Sequence, residues 1–241
     1  MTTLFRFIRR FTQRVHPGWL VIGAVLFVLW DTPAVTPLKL FVVFLHELSH
    51  ALAGLATGGS VVDIQLDSME GGVTHTLGGS RLVTLGAGYL GSLLWGGCIM
   101  LLAARTSWDR RLSVIIGSLT LALTVFYVRN LFGLFFGASF GIALVLTGFY
   151  LPLEANDILL RFVGFTSCVY AVLDIKSDIL DRSIESDASM LAELTGIPRI
   201  LWGIFWIALA LIGTASLLSV CGNQQSRAGV RSTKGNPPQP N

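Results

Sequence analysis

Uncharged, mainly apolar windows recur along the chain at 15–30, 82–104, 112–128, 130–153, 162–173 and 200–226. A membrane-spanning helix needs roughly 20 mainly apolar residues, and several of these windows reach or approach that length. A further apolar stretch, Leu38 to Leu55, is interrupted by Lys39 at its edge and by Glu47 in its middle. Pro17, Pro33, Pro37, Pro152 and Pro198 stand at segment borders, where a helix can start or must stop. Trp19 and Trp30 bracket the first window as interfacial aromatics do. The pattern predicts seven helices, roughly 18–31, 38–57, 82–104, 112–128, 130–151, 158–175 and 200–221. The sixth carries Arg161 near its start, from where the side chain can snorkel to the interface.

A period of two replaces the helical pattern at 59–80. Val62, Ile64 and Leu66 alternate with Asp63, Gln65 and Asp67, and Val73, His75 and Leu77 with Thr74 and Thr76. Between the runs lies Ser68-Met69-Glu70-Gly71-Gly72, which is turn chemistry, so a β-hairpin is expected after the second helix. Residues 174–199 are the most acidic stretch and read as a solvated loop or surface helix. From Gly222 onward the chain is polar, and a disordered tail is expected over 222–241. The chain thus divides into a basic segment at 1–17, one membrane domain at 18–221 and the tail.

Composition strengthens this picture. Hydrophobic residues make up 53% of the chain and charged residues 13%, about half the usual ~25%. Mean hydropathy is +0.70. A disordered chain, a nucleic-acid-binding domain and an ordinary cytosolic enzyme are excluded. The expected fold class is an all-α polytopic membrane protein of six to seven transmembrane helices with a small β-hairpin. A net charge of +3 is too small to mark a polyanionic partner. Cys98, Cys168 and Cys221 form no CxxC pair, and the first two read as small buried apolar side chains. Arg6, Arg9, Arg10 and Arg14 read as a cytoplasmic anchor, and Asp31-Thr32-Pro33 offers no signal-peptide cleavage site. With seven crossings, however, Arg105, Arg110 and Arg111 fall on the opposite side from those arginines. A miscounted or re-entrant helix removes the conflict, and 112–151 is where it is expected.

The chemistry lies in the second helix, as His46-Glu47-Leu48-Ser49-His50. An HExxH on a helix sets two imidazoles one turn apart on one face, where both reach a single zinc ion. The neighbouring glutamate is then a general base for water. The three-letter match alone is loose. Its setting is not, because a charge in mid-membrane costs at least ~2.5 kcal/mol and marks a functional site by default. Two of the four histidines fall in this turn.

Catalytic zinc takes three protein ligands and keeps a position open. Asp174 leads for the third, since it closes the apolar run from Ser167 to Leu173 and is the acid most continuous with a membrane helix. Asp178 and Asp187 follow, with Asp181 and His75 as further possibilities. Asn130, at the border of two apolar windows, reads first as a helix cap and second as an oxyanion or supporting donor. Gly133, Gly137 and Gly141, like Gly88, Ser92 and Gly96, repeat every four residues, a spacing that lets helices approach closely.

Taken together, His46-Glu47-Leu48-Ser49-His50-Ala51, the following hairpin with Gly71-Gly72-Val73-Thr74, Gly88-Tyr89-Leu90-Gly91-Ser92, Val128-Arg129-Asn130, Leu173-Asp174-Ile175 and Ser186-Asp187-Ala188 resemble the site-2 protease family. These are intramembrane zinc metallopeptidases, and the likeness is to the short branch without a PDZ domain. It covers the chain from about 40 to 210. The resemblance implies a multi-pass integral membrane protein that cleaves a membrane-embedded protein substrate. It implies zinc on His46, His50 and a later aspartate, with Glu47 as base. Better-known members carry that aspartate before a glycine, and none of Asp174, Asp178, Asp181 or Asp187 has one. The competing reading is a metal-binding membrane scaffold or pseudo-protease that does not cut. A zinc hydrolase of lipid amides is a third.

Overall fold

The computed structural model describes the backbone of residues 17–180 and 186–234; side chains at 17, 20, 174, 176–180 and 222–234 are outside the described set. The basic segment and the end of the tail lie outside the described residues. In chain order the elements are α1 (Pro17–Leu29), α2 (Thr36–Ala56), β1 (Ser60–Leu66), β2 (Gly72–Leu77), α3 (Arg81–Arg105) and α4 (Asp109–Tyr127). Then follow α5 (Leu131–Tyr150), α6 (Leu153–Leu180), α7 (Asp187–Thr195) and α8 (Arg199–Lys234).

Among the described residues, six helices are long and apolar enough to cross a bilayer: α2, α3, α4, α5, α6 over Leu153–Leu173 and α8 over Arg199–Cys221. Of the seven membrane helices expected from the sequence, the one short of this among the described residues is α1. Its 13 residues span about 20 Å at 1.5 Å each, against ~30 Å of hydrocarbon. By contrast, α4 and α5 at 109–150 are both long enough to span. With six crossings, Arg105, Arg110 and Arg111 fall on the same side as the chain before α2. Helix α8 continues to Lys234, past the Gly222 where the polar tail begins in sequence.

Helix α2 is the centre of the bundle. Phe41, Val42 and Phe44 are almost wholly buried, and α3, α5, α6 and the hairpin pack around it. Lipid is as apolar as leucine, so close backbone approach has to hold such helices together. Glycine supplies it where α3 meets α6. A Cβ at Gly96 would stand 2.7 Å from the Gly164 carbonyl, and one at Gly164 2.7 Å from that of Gly96. The Ser167 hydroxyl donates to the Ser92 carbonyl at 2.7 Å in the same seam. The glycine repeat on α5 serves the α4 contact, where a Cβ at Gly117 would be 2.6 Å from the Gly141 carbonyl. Arg161 does not snorkel freely. It donates to Asp157 at 2.6 Å and lies over the Trp19 ring.

The predicted hairpin is present, antiparallel, with Ile64 opposite Thr74, Leu66 opposite Gly72, and a bulge between Val61 and Asp63. Its inward face is mixed. Ile64 and Leu66 are buried, but β2 turns Gly72, Thr74 and Thr76 toward α2 and leaves Val73 and Leu77 exposed. The α2 surface beneath β2 presents Glu47 and Gly54, so a polar side chain and small residues fit where a larger apolar one would not.

Candidate metal centre

Three ligand atoms converge beside α2. Asp187 Oδ2 lies 3.1 Å from His46 Nε2 and 3.1 Å from His50 Nε2. The two imidazoles come from one helical turn, as the motif requires. The carboxylate arrives on α7, whose N-cap Ser186 accepts from the Ser189 amide and sets Asp187 in the first turn. Leu191 and Ala188 on α7 pack with Ile175 of α6, Trp206 of α8 and Tyr89 of α3, which fixes that turn against the bundle. The Tyr89 ring also meets His46 edge-on.

The donor set suits zinc. Two imidazole nitrogens and one carboxylate oxygen form a catalytic zinc triad, and ligands ~2.0–2.1 Å from a tetrahedral ion stand about 3.3 Å apart. His50 Nδ1 is 2.7 Å from the Thr84 carbonyl. A carbonyl only accepts, so Nδ1 carries the proton and Nε2 offers its lone pair to the centre. Space is kept open by Gly88, where a Cβ would come within 2.6 Å of His50 Nε2 and closer still to His46 Nε2. Burial would push the Asp187 carboxyl up, but the His50 and His46 imidazoles beside it hold it well below the usual carboxylate range. The carboxylate is the form that binds a cation.

Glu47 is buried next to this cluster, and its Oε2 accepts from the Thr74 hydroxyl at 2.7 Å. Asp187, His46, His50 and Glu47 all face one cavity of about 900 Å³, roofed along one side by β2. The buried charge stands 11 residues into α2, so about 16 Å from the helix start and near mid-membrane depth.

Asp174 is on α6, and its side chain, like that of Asp178, is outside the described residues; Asp181 is outside them altogether. His75 is turned to Asp63, with Nδ1 2.6 Å from Oδ1 on the exposed face of the hairpin. Asn130 is the N-cap residue of α5, as its position suggests, but its side chain makes no cap bond. Its Oδ1 accepts from the Leu66 amide at 3.1 Å and its Nδ2 donates to the Leu66 carbonyl at 2.6 Å, so the carboxamide pairs with β1 as a strand residue would. Val128 bridges Ile64 beside it and Arg129 donates to the Ile64 carbonyl. The outer edge of β1 is thereby closed, whereas among the described residues no backbone group pairs with the outer edge of β2.

Two contributors escaped the sequence reading. Thr74 was visible as a polar residue in an alternating strand and as part of Gly71-Gly72-Val73-Thr74, with no role assigned to it, and Thr84 acts through its backbone, which no side-chain pattern reports. Gly88 had a signal, its place in a four-residue spacing of small residues.

In comparison with known families, a family model described as Peptidase M50B-like matches residues 19–216. No curated protein and no solved structure matches the chain. The match spans the central helix, the hairpin and all three converging ligands, and the chain accordingly belongs to the Peptidase M50B-like family, a site-2 protease group of multi-pass integral membrane peptidases.

Proposed function

We propose that the protein is an intramembrane zinc endopeptidase that hydrolyses a peptide bond in or near a transmembrane segment of a membrane-protein substrate. The observation that carries this reading is the convergence of His46, His50, Asp187 and Glu47 on one cavity at mid-depth of α2. His46, His50 and Asp187 are the residues that would hold the metal. When bound, zinc supplies Lewis acidity that polarises a carbonyl and acidifies water.

The chain's own groups carry the remaining work. Glu47 takes a proton from the attacking water and returns it to the leaving amine, so no net proton is consumed. The Thr84 carbonyl keeps the His50 imidazole oriented through Nδ1. A substrate helix hides its amides in hydrogen bonds and has to unwind before attack. The open edge of β2 is a template for the unwound segment, which adds as a strand beside the cavity. The β1 edge, closed by Asn130 and Val128, leaves a single side for that addition.

The test uses purified full-length protein in lipid vesicles with a co-reconstituted single-span substrate. Cleavage is expected within the transmembrane segment, lost on chelation and restored by zinc. Cleavage that persists after complete removal of zinc contradicts the proposal.

A further inference from the structure

Thr74 and Gly72 both lie on β2, and both meet Glu47. The Thr74 hydroxyl stands 2.7 Å from Glu47 Oε2 and 2.9 Å from the Glu47 main-chain carbonyl. It has one proton to give, and an ionised carboxylate is the stronger acceptor. Two residues earlier, on the same face, a Cβ at Gly72 would stand 2.7 Å from both Glu47 Cγ and Glu47 Oε1, and 2.9 Å from Val43 Cγ1. One carboxylate oxygen is thus held by a hydroxyl, while the other lies beneath bare backbone with room for nothing larger than a hydrogen.

We infer that β2 positions the catalytic base: Thr74 is a positioning residue that fixes Glu47 through Oε2, and Gly72 keeps the space that leaves Oε1 free for proton transfer. The inference rests on the reading of Glu47 as general base and deepens it. A glutamate has three side-chain torsions, and a base that wanders by an ångström can lose about 100-fold in rate. Here two points on one strand remove that freedom. The same strand turns its outer edge to the substrate path, so a segment pairing with that edge is brought into register with the base held by the strand's inner face. Docking and chemistry then share one rigid element.

The experiment compares native protein with Thr74→Val, Thr74→Ser, Gly72→Ala and Glu47→Gln in the vesicle assay, with bound zinc and thermal stability measured on each. Valine keeps the shape of threonine and removes the donor. The expected result is a fall in kcat of roughly 10- to 100-fold for Thr74→Val, with KM, bound zinc and melting temperature near native. Thr74→Ser, which keeps the hydroxyl, restores kcat to within a few-fold (~3) of native. Gly72→Ala displaces Glu47 Cγ and Val43 Cγ1 as well as Oε1, so it is expected to lose kcat together with some melting temperature. The inference is overturned if Thr74→Val keeps native kcat while Glu47→Gln is inactive. It is equally overturned if the loss in Thr74→Val tracks a loss of zinc or stability, or if serine does not rescue. A fully active Glu47→Gln would instead remove the general-base reading on which the inference stands.

Discussion

His46 Nε2 and Asp187 Oδ2 stand 3.1 Å apart although 141 residues separate them in the chain. The same oxygen reaches His50 Nε2 at 3.1 Å. The centre therefore joins the second helix to a nine-residue helix near the end of the bundle, and it forms only when α7 is docked through Leu191 and Ala188.

This relationship makes Asp187 the third ligand of the proposed metal centre. Asp187→Ala is expected to purify with far less than the about one zinc per chain that a three-ligand site retains. Asp174→Ala is expected to keep its metal. Metal analysis of the two variants after dialysis checks this, and zinc lost from Asp174→Ala alone would contradict it.

Gly88 tests the space around the same atoms. A methyl group there meets both Nε2 atoms, whereas a Cβ at Gly86, two residues away, meets nothing within 4 Å. Gly88→Ala is expected to weaken zinc binding by at least about tenfold and Gly86→Ala to leave it unchanged, read by zinc titration against a competing chelator.

The hairpin tip carries an asymmetric ion pair. Lys39 lies within α2 and is 8% exposed at its side chain, while its partner Glu70, 3.2 Å away, is 26% exposed. The Lys39 ammonium also stands 4.9 Å from the Trp30 ring centroid. Removing the acid strands a buried cation, whereas removing the cation leaves an acid that water can reach. Glu70→Gln is expected to destabilise by about 2 kcal/mol, less than for a fully enclosed pair, and Lys39→Met by less than Glu70→Gln. Denaturation of the two variants in the same lipid or detergent checks the order.

The membrane helices, the hairpin and the His46-Glu47-His50 turn are legible in sequence because each has a local signature: an uncharged window, a period of two, or a spacing. The third carboxylate is less legible. Continuity with an apolar helix favours Asp174, but a ligand is selected by where its helix docks, and Ser186-Asp187 opens a short helix whose only local mark is its cap. Asn130 is a cap by position, as the apolar run after it suggests. Its side-chain bonds go instead to Leu66, 64 residues away, a pairing no local rule predicts. The inward threonines of β2 depart from simple alternation because the helix beneath them offers a carboxylate and a glycine rather than a greasy surface.

Acid should loosen the hairpin. Hydrogen bonds from His75 and Gln65, with the Arg129 charge nearby, hold the Asp63 carboxyl below its usual range. The stability this contributes is complete above the unfolded carboxylate value of ~3.9 and is lost as pH falls below it toward the depressed folded value. Hairpin protection from hydrogen exchange is expected to be flat from about pH 6 to 5 and to fall below about pH 4. His75→Ala should blunt that dependence. A dependence unchanged in that variant would contradict the assignment.

The central claim is that Glu47 performs the chemistry beside a zinc held by His46, His50 and Asp187. Its most direct measurement is the rate of transmembrane-substrate cleavage by native protein and Glu47→Gln, purified alike and shown to carry equal zinc. A loss of at least about 100-fold in the variant at equal metal content is predicted. Equal product from both would contradict the account.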